Sequence, residues 1–341
     1  MGSVQNLPVI DLAATATDEG VVGAGAELDA ACRRLGLFEV VGHGVPPALF
    51  TELFAVTRQF FALPDSVKSR VAQPAPDQVR GWSAVGSEGV AYSLDEESPA
   101  DLREKLDIGP PVRASDADTR DGYYFDPARA GPHLAPNLWP REPAGLRAVW
   151  ETYYAHLDRV CATLMRLCAT RWGLPVHWFD SQIDRSVSML RALYYPAQIE
   201  PPLSGQLRTG VHTDYGAFTV LTGEDAPGGL EVLDRVGQWT PVTTTPGRLL
   251  VAVGDLLAEW TADEWPATLH RVANPPAGGA RNSTRLAFAF YQEPNYDMHV
   301  DILPPFRRPD WIAQSPVLTA GEHLRQKYLR QTTFGRRPPQ R

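Results

Sequence analysis

Short β-rich runs that follow one another from about residue 185 constrain the fold of this chain more than any other feature. Gly, Pro and Asp residues separate these runs, which are SVSMLRALYYP, FTVLTG, GLEVLDRVGQWTPV, RLLVAVGD and RLAFAFYQEP. Many short strands at such spacing are typical of a β-sandwich or a closed barrel. The second half of the chain is therefore predicted to form a jelly roll.

The first half of the chain mixes strand-like and helix-like segments. Residues 7–12 (LPVIDL) and 37–44 (LFEVVGHG) have the apolar character of short buried strands. Residues 25–36 and 46–64 carry apolar side chains at helical spacing, which predicts two amphipathic helices. We expect residues 1–140 to form an α/β region within the same compact unit as the rest of the chain.

Two further helices are predicted around the β-rich runs. Residues 143–175 carry an apolar stripe that begins at Leu146 and passes Leu167, which indicates one long scaffold helix. Residues 319–334 indicate a terminal helix packed on the outside. We therefore expect residues 141–341 to hold the scaffold helix, the jelly-roll core and a C-terminal helix. The predicted fold class is α+β, and mainly β.

Charge and hydropathy exclude several classes of partner. The chain has 32 Lys and Arg against 40 Asp and Glu, a net charge of −8, and no basic run longer than a pair, which argues against nucleic acid. No apolar stretch approaches the roughly 18 residues needed to span a bilayer. The N-terminus lacks the basic-then-apolar order of a signal peptide. We expect a cytoplasmic protein whose partner is a small molecule, and the oligomeric state is left open.

A histidine and an aspartate stand two residues apart in GVHTDYGAFTVLT. In an extended strand His212 and Asp214 point to the same face. WPATLHRVANP offers a second histidine, His270, in another β-like run. Each residue alone has an ordinary explanation as a core histidine or a turn-capping carboxylate. Two histidines and one carboxylate together are the ligand set of non-haem Fe(II), and this set leaves coordination positions open.

A buried arginine is also indicated within the last apolar strand. Arg285 opens RLAFAFYQEP, from which charged side chains are normally excluded. The planar guanidinium suits a carboxylate bidentately, so an incoming dicarboxylate co-substrate is a natural partner. A structural salt bridge or an arginine at the strand end remains the alternative.

The order of these motifs resembles the isopenicillin N synthase-like family of Fe(II)/2-oxoglutarate-dependent oxygenases, and the similarity covers nearly the whole chain. The motifs that carry it are LPVIDL, LGLFEVVGHGVP, FFALP, PNLWP, YYP, HTDYGAFTVL, GLEVL, GQWTPV, PGRLLVAVGD, LHRVANP and RLAFAFYQEPN. The resemblance implies a double-stranded β-helix, or jelly roll, with an α/β N-terminal region, a long scaffold helix and a C-terminal helix.

The resemblance also implies the roles of individual residues. His212, Asp214 and His270 match the catalytic iron ligands, while Arg285 and Tyr195 match residues that bind the co-substrate 2-oxoglutarate. With O₂, such an enzyme couples oxidative decarboxylation of 2-oxoglutarate to oxidation of a C–H bond in a small molecule, by hydroxylation, desaturation or cyclisation. The high content of Ala, Arg, Gly and Pro indicates a GC-rich bacterial genome, from which we expect a role in specialised metabolism.

Two positions depart from the family pattern. The arginine is usually followed two residues later by serine, but Ala287 stands there, and Leu193 replaces the asparagine that usually precedes Tyr195 by two. A literal Arg-x-Ser occurs at residues 281–283, in the preceding turn. The resemblance therefore implies altered or weaker binding of 2-oxoglutarate.

Two alternative functions remain open at this point. One is an Fe(II) oxidase of the same fold that uses no 2-oxoglutarate, and the other is a non-enzymatic small-molecule-binding jelly roll. For the substrate site, we expect walls from loops within residues 80–110, from strand residues such as Leu190 and Phe218, and from the segment after Pro294.

Overall fold

Two β-sheets organise the residues that the computed structural model describes, which are 7–75, 78–111, 133, 135–312 and 318–332. The strands are β1 (Val9–Asp11), β2 (Leu37–Val41), β3 (Gly81–Ser83), β4 (Glu104–Ile108), β5 (Met189–Tyr195), β6 (Thr209–His212), β7 (Phe218–Gly223), β8 (Leu230–Leu233), β9 (Trp239–Pro241), β10 (Leu249–Val253), β11 (His270–Val272) and β12 (Arg285–Tyr291). An eight-stranded sheet has the order β1-β2-β10-β7-β12-β5-β4-β3, and a four-stranded sheet has the order β6-β11-β8-β9. This arrangement confirms the predicted jelly roll.

The helices surround the large sheet. They are α1 (Asp18–Arg34), α2 (Pro47–Phe61), α3 (Asp65–Lys68), α4 (Leu146–Arg171), α5 (Asp180–Ile183), α6 (Asp255–Trp260) and α7 (Ala320–Thr332). The long scaffold helix and the C-terminal helix are therefore present as predicted. Among the described residues, no helix combines the length and the apolar character needed to cross a bilayer.

Strands from the N-terminal half belong to the large sheet. β1 pairs in parallel with β2, and β2 pairs antiparallel with β10 of the jelly roll. At the other edge, β3 pairs with β4, and β4 pairs with β5. The strands of both halves of the chain thus share backbone hydrogen bonds within one sheet.

The first helix begins earlier than its apolar pattern predicted. It starts at Asp18 rather than at residue 25, because the Thr17 side chain accepts a hydrogen bond from the Gly20 N–H and caps the helix. Asp18 and Glu19 lie in its first turn, where negative charge is favourable. Residues 18–24 (DEGVVGA) include two acidic residues and two glycines, so this part of the helix lacks the apolar spacing seen in residues 25–36.

The core lies between the large sheet and the scaffold helix. Along β12, alternate residues face opposite sides, so Leu286, Phe288 and Phe290 point toward the helices. The Phe288 ring centroid lies 5.0 Å from Phe54, 5.9 Å from Trp150 and 6.1 Å from Tyr153. Edge-to-face aromatic contacts of this kind join α2, α4 and β12 into one apolar layer.

Replacing the central ring of this layer is expected to destabilise the fold. Phe288→Ala removes a fully buried side chain and leaves a cavity, so the free energy of unfolding should fall by about 3–5 kcal/mol. Urea denaturation followed by tryptophan fluorescence measures this loss. The control is Val236→Ala, at an exposed turn position, which should change the free energy by less than about 0.5 kcal/mol. Equal stability of the two variants would contradict this description of the core.

Candidate functional site

Two histidines of the small sheet lie directly opposite each other. His212 is the last residue of β6, His270 is the first residue of β11, and the antiparallel register pairs the two positions. Side chains opposite each other in such a pair project to the same face of the sheet. The two imidazole ring centroids are therefore only 4.1 Å apart. The pairing of β6 with β11 thus brings together two residues that are 58 positions apart in the chain.

Asp214 completes the cluster from the loop that follows β6. Its Oδ1 atom lies 3.8 Å from Nε2 of His212 and 3.8 Å from Nε2 of His270. All three side chains are buried, and one ligand atom from each lies within 4.8 Å of the others. The backbone holds the loop in place, because the Asp214 carbonyl accepts a hydrogen bond from the Asp255 N–H at the start of α6.

Hydrogen bonds fix which nitrogen of each histidine faces the cluster. Nδ1 of His212 lies 2.9 Å from the Gly210 carbonyl oxygen, and Nδ1 of His270 lies 2.8 Å from the Thr268 carbonyl oxygen. A carbonyl oxygen can only accept, so each Nδ1 carries a proton, which leaves Nε2 as the nitrogen that can present a lone pair to the cluster. Such outer contacts are the usual way in which proteins orient imidazole ligands toward a metal.

The donor set fits a divalent cation. Asp214 Oδ2 is buried and has no hydrogen-bond partner among the described residues, although an unpaired buried carboxylate oxygen is costly. Burial, and then the neighbouring His270, hold the pKa of His212 well below its usual range, so this imidazole is neutral at pH 7. Two neutral imidazole nitrogens and one carboxylate oxygen are the donor types that suit Fe(II) in oxygenases.

Arg285 and Tyr195 face each other across β12 and β5 of the large sheet. The register pairs the two residues, and the guanidinium carbon lies 5.5 Å from the centroid of the tyrosine ring. Arg285 Nε donates to the Glu224 carbonyl oxygen at 3.0 Å, and no carboxylate forms an ion pair with this guanidinium in the described part of the chain. Burial lowers the pKa of Arg285. The guanidinium also hydrogen-bonds to the Tyr195 side chain, and the donors that neither contact uses are available to an anion in the cavity.

The two departures from the family pattern lie beside each other. Ala287 pairs with Leu193 across β12 and β5, and both belong to a small apolar cluster next to Tyr195. A different hydroxyl is close to the tyrosine, since Thr209 Oγ1 lies 3.1 Å from the Tyr195 hydroxyl oxygen. The polar side chains at this end of the cavity are thus those of Arg285, Tyr195 and Thr209. The serine and the asparagine of the family pattern are replaced by Ala287 and Leu193.

A single cavity, partly open to solvent, is lined by all of these groups. Val90 and Arg103 from residues 80–110 line it, and so do Leu324 and Tyr328 from α7, as predicted for the walls of the site. The prediction for Leu190 and Phe218 is wrong, since both are fully buried on the helix side of the large sheet. Strand alternation instead turns Met189 and Arg191, on either side of Leu190, toward the cavity, and Leu221, three residues after Phe218, also lines it.

A network of buried charges in the cavity wall was not predicted. Arg191 donates from Nε and Nη2 to Asp107 at 2.7 and 2.9 Å, and Lys105 Nζ lies 2.6 Å from Asp107 and 2.6 Å from Glu88. Arg103 lies 3.1 Å from Asp101. Of these residues, only Arg191 could have been assigned to the cavity from the sequence. It precedes Tyr195 by four residues in the same strand, so the two side chains lie on the same face. The partners on β4 become neighbours through sheet pairing alone.

Two family models match the chain in order. Residues 7–142 match the non-haem dioxygenase in morphine synthesis N-terminal family, and residues 186–294 match the 2OG-Fe(II) oxygenase superfamily. The second match contains the histidines, the aspartate, Arg285 and Tyr195.

Individual proteins align over nearly the full length. A homoarginine-6-hydroxylase of Oryza sativa subsp. japonica is 31% identical over 94% of this chain and 93% of its own length. A validamycin A dioxygenase of Streptomyces hygroscopicus subsp. limoneus is 29% identical over 96% of this chain and 87% of its own. The crystal structure of a full-length Neurospora crassa protein in complex with alpha-KG superposes with a TM-score of 0.79 at 26% identity, covering 96% of this chain and 99% of the Neurospora chain. The chain therefore belongs to the 2OG-Fe(II) oxygenase superfamily, in its isopenicillin N synthase-like branch, and is an Fe(II)- and 2-oxoglutarate-dependent dioxygenase.

Proposed function

We propose that His212, Asp214 and His270 hold the Fe(II) and that the enzyme oxidises a C–H bond of a small molecule. One observation carries this proposal: both Nε2 atoms lie 3.8 Å from the same carboxylate oxygen of Asp214, with their Nδ1 atoms bonded to backbone carbonyls. The unpaired Oδ2 atom of Asp214 supports it further. These three residues would hold the metal through two imidazole nitrogens and one carboxylate oxygen, a donor set that leaves coordination positions for other ligands.

Arg285 and Tyr195 are proposed to bind the distal carboxylate of 2-oxoglutarate. A cavity-facing guanidinium without a carboxylate partner in the described part of the chain supports this role, as does the tyrosine paired with it across the sheet. A planar guanidinium can donate two parallel hydrogen bonds to a carboxylate. Thr209 orients the Tyr195 hydroxyl and supplies a polar contact where the family's serine and asparagine are missing.

Bound Fe(II) and 2-oxoglutarate supply the chemistry that activates O₂ for C–H oxidation. The protein's own residues position the reactants and exclude water. Arg285 and Tyr195 fix one end of the co-substrate, while the apolar wall that includes Met189 and Leu324 keeps the reacting carbon in a dry environment. We propose that residues 1–140 and 141–341 act together in this, since strands of both share the large sheet.

The biological setting is proposed from composition and from the relatives. The Streptomyces relative is named for validamycin A and the rice relative for homoarginine, and both are small molecules. We propose a cytoplasmic enzyme of bacterial specialised metabolism whose outcome is hydroxylation, desaturation or cyclisation. A substrate library scored by succinate release tests the reaction, and the ratio of succinate to oxidised product separates it from an oxidase that uses no 2-oxoglutarate.

Removing a proposed iron ligand is expected to abolish turnover. Asp214→Ala and His270→Ala each delete one of three donor groups, so iron content after dialysis against Fe(II) should fall at least tenfold. Succinate formation should fall to background, and far-UV circular dichroism should remain close to that of the parent protein. His177→Ala, on the surface, is the control and should keep both iron and activity. Full activity of the Asp214 and His270 variants would refute the assignment.

Arg285→Leu is expected to weaken 2-oxoglutarate binding about 100-fold. The loss of charge-assisted hydrogen bonds to a buried carboxylate costs about 3 kcal/mol, which corresponds to that factor. The visible charge-transfer band of the anaerobic Fe(II) enzyme, titrated with 2-oxoglutarate, measures the dissociation constant. Arg285→Lys keeps the charge but lacks the planar guanidinium. Its dissociation constant for 2-oxoglutarate should lie between those of the parent enzyme and of Arg285→Leu. An unchanged dissociation constant in the leucine variant would exclude the proposed role.

Ala287→Ser is expected to tighten 2-oxoglutarate binding by up to about tenfold. The new hydroxyl projects to the same face as Arg285 and adds one hydrogen bond to the co-substrate, worth about 0.5–1.5 kcal/mol. The same titration measures the change. Ala289→Ser is the matched control, because Ala289 lies on the same face of β12 but is fully buried and does not line the cavity. Equal effects of the two substitutions would contradict the prediction.

A further inference from the structure

Two of the arginines that line the cavity form no ion pair with any carboxylate in the described ranges. One is Arg285, and the other is Arg80, which directly precedes β3. The other two cavity arginines, Arg103 and Arg191, are both paired with aspartates. Arg80 therefore has the same unusual setting as the residue proposed to bind 2-oxoglutarate.

Backbone carbonyl oxygens hold the Arg80 side chain in place. Nε donates to Ala135 at 3.2 Å, Nη1 donates to Val79 at 2.5 Å, and Nη2 donates to His133. The side chain is only 2% exposed, and its guanidinium lies against Gly109, where any larger residue would collide with it. Three of the five N–H donors of an arginine are thus used, which leaves two without a partner among the described residues.

The charge of Arg80 is not balanced by the surrounding wall. The buried ion network has three acids and three bases, which are Glu88, Asp101 and Asp107 with Arg103, Lys105 and Arg191. These six charges cancel one another. Glu293 also lines the cavity, but it forms no ion pair with Arg80 among the described residues, and burial raises its pKa well above the usual range, which disfavours the carboxylate form. Apart from Arg285, Arg80 is the one arginine of the cavity that has no carboxylate partner, counted over the residues that the structure describes.

A buried cation without a counter-charge is unfavourable. Burial lowers the pKa of Arg80 to about 10, which still leaves the guanidinium protonated at pH 7. Carbonyl dipoles satisfy some of its donors but supply no negative charge. An anion that enters the cavity would bind to the two remaining donors and balance the charge.

The position of Arg80 separates it from the co-substrate site. Arg285 lies on β12, and β3 is three strands away in the order β12-β5-β4-β3, or about 14 Å at a strand spacing of about 4.8 Å. Along the strands, Gly81 pairs with Asp107 and Asp107 pairs with Arg191, whose partner Ala289 is four residues beyond Arg285. One 2-oxoglutarate molecule cannot occupy both positions while its other end reaches the metal ligands.

Apolar side chains lie on the same side of the cavity as Arg80. Val79, Met189 and Tyr328 form a small buried cluster, and Leu324 of α7 also lines the cavity. A ligand with one anionic group and an apolar body matches this part of the wall.

We propose that the prime substrate of this oxygenase is a small organic acid, and that Arg80 binds its carboxylate while the apolar body packs against Met189 and Leu324. This inference rests on the proposed function, because it assigns the substrate class of the same cavity. The carboxylate anchored at Arg80 sets which carbon of the substrate reaches the metal ligands.

Matched pairs of acids and amides test the inference. The probes are phenylacetate, cyclohexanecarboxylate and hexanoate, each compared with its primary amide, and calorimetry measures their binding to the Mn(II) enzyme saturated with 2-oxoglutarate. At least one acid should bind at least about tenfold more tightly than its amide, because only the acid carries the charge that Arg80 attracts. Arg80→Gln should reduce this ratio to about one, and Arg80→Lys should keep part of it.

Arg208→Gln is the matched control. Arg208 is fully buried and donates only to backbone carbonyls, including those of Pro196 and Ser283, but it does not line the cavity. Arg208→Gln should destabilise the fold to a degree similar to Arg80→Gln. It should nevertheless retain the ratio of acid to amide affinity of the parent enzyme.

Three results would overturn the inference: equal binding of acids and amides, an acid preference that persists in Arg80→Gln, or no binding of any acid probe. These outcomes are distinct from failure of the proposed function. That failure would appear as a missing charge-transfer band with Fe(II) and 2-oxoglutarate.

Discussion

The pairing of β6 with β11 is the interaction on which the site depends. Its register places His212 opposite His270, so that two histidines from distant parts of the chain present their Nε2 atoms to one oxygen of Asp214. A shift of one residue would turn either imidazole to the other face of the sheet. Backbone hydrogen bonds within the sheet, together with those that the imidazoles donate to the Gly210 and Thr268 carbonyls, hold the two histidines in one arrangement.

The large sheet has two faces with different chemistry. The face toward α4 is apolar and aromatic, whereas the face toward the cavity carries arginines, tyrosines and their buried acidic partners. The C-terminal helix is tied to this second face, since Lys105 Nζ donates to the Tyr328 hydroxyl, and to the loop after β6, since the Tyr215 hydroxyl donates to Gln331. Buried charges are costly unless they are paired, so the ion network and α7 stabilise each other across the cavity wall.

Much of the site was predicted from local patterns. His212 and Asp214 stand two positions apart, and the apolar runs around His270 and Arg285 marked both as candidate site residues. The prediction for Leu190 and Phe218 was wrong, because an almost wholly apolar strand does not reveal which of its faces lies against the helices. Arg80 also went unnoticed, since it lies in a loop whose polar residues look solvent-exposed in sequence but are buried by later segments.

The amino-acid sequence by itself determined the strands, the scaffold helix, the metal-binding residue types and the missing serine at Ala287, since each of these follows from short-range periodicity or from a local motif. Only the tertiary structure decided which side chains share the cavity. Arg80, Arg191 and Asp107 become neighbours through the pairing of β3, β4 and β5, and the pairing of β4 with β5 joins segments more than 80 residues apart. The net charge around a cavity depends on which segments the fold brings together, so it cannot be predicted from any one segment of the sequence.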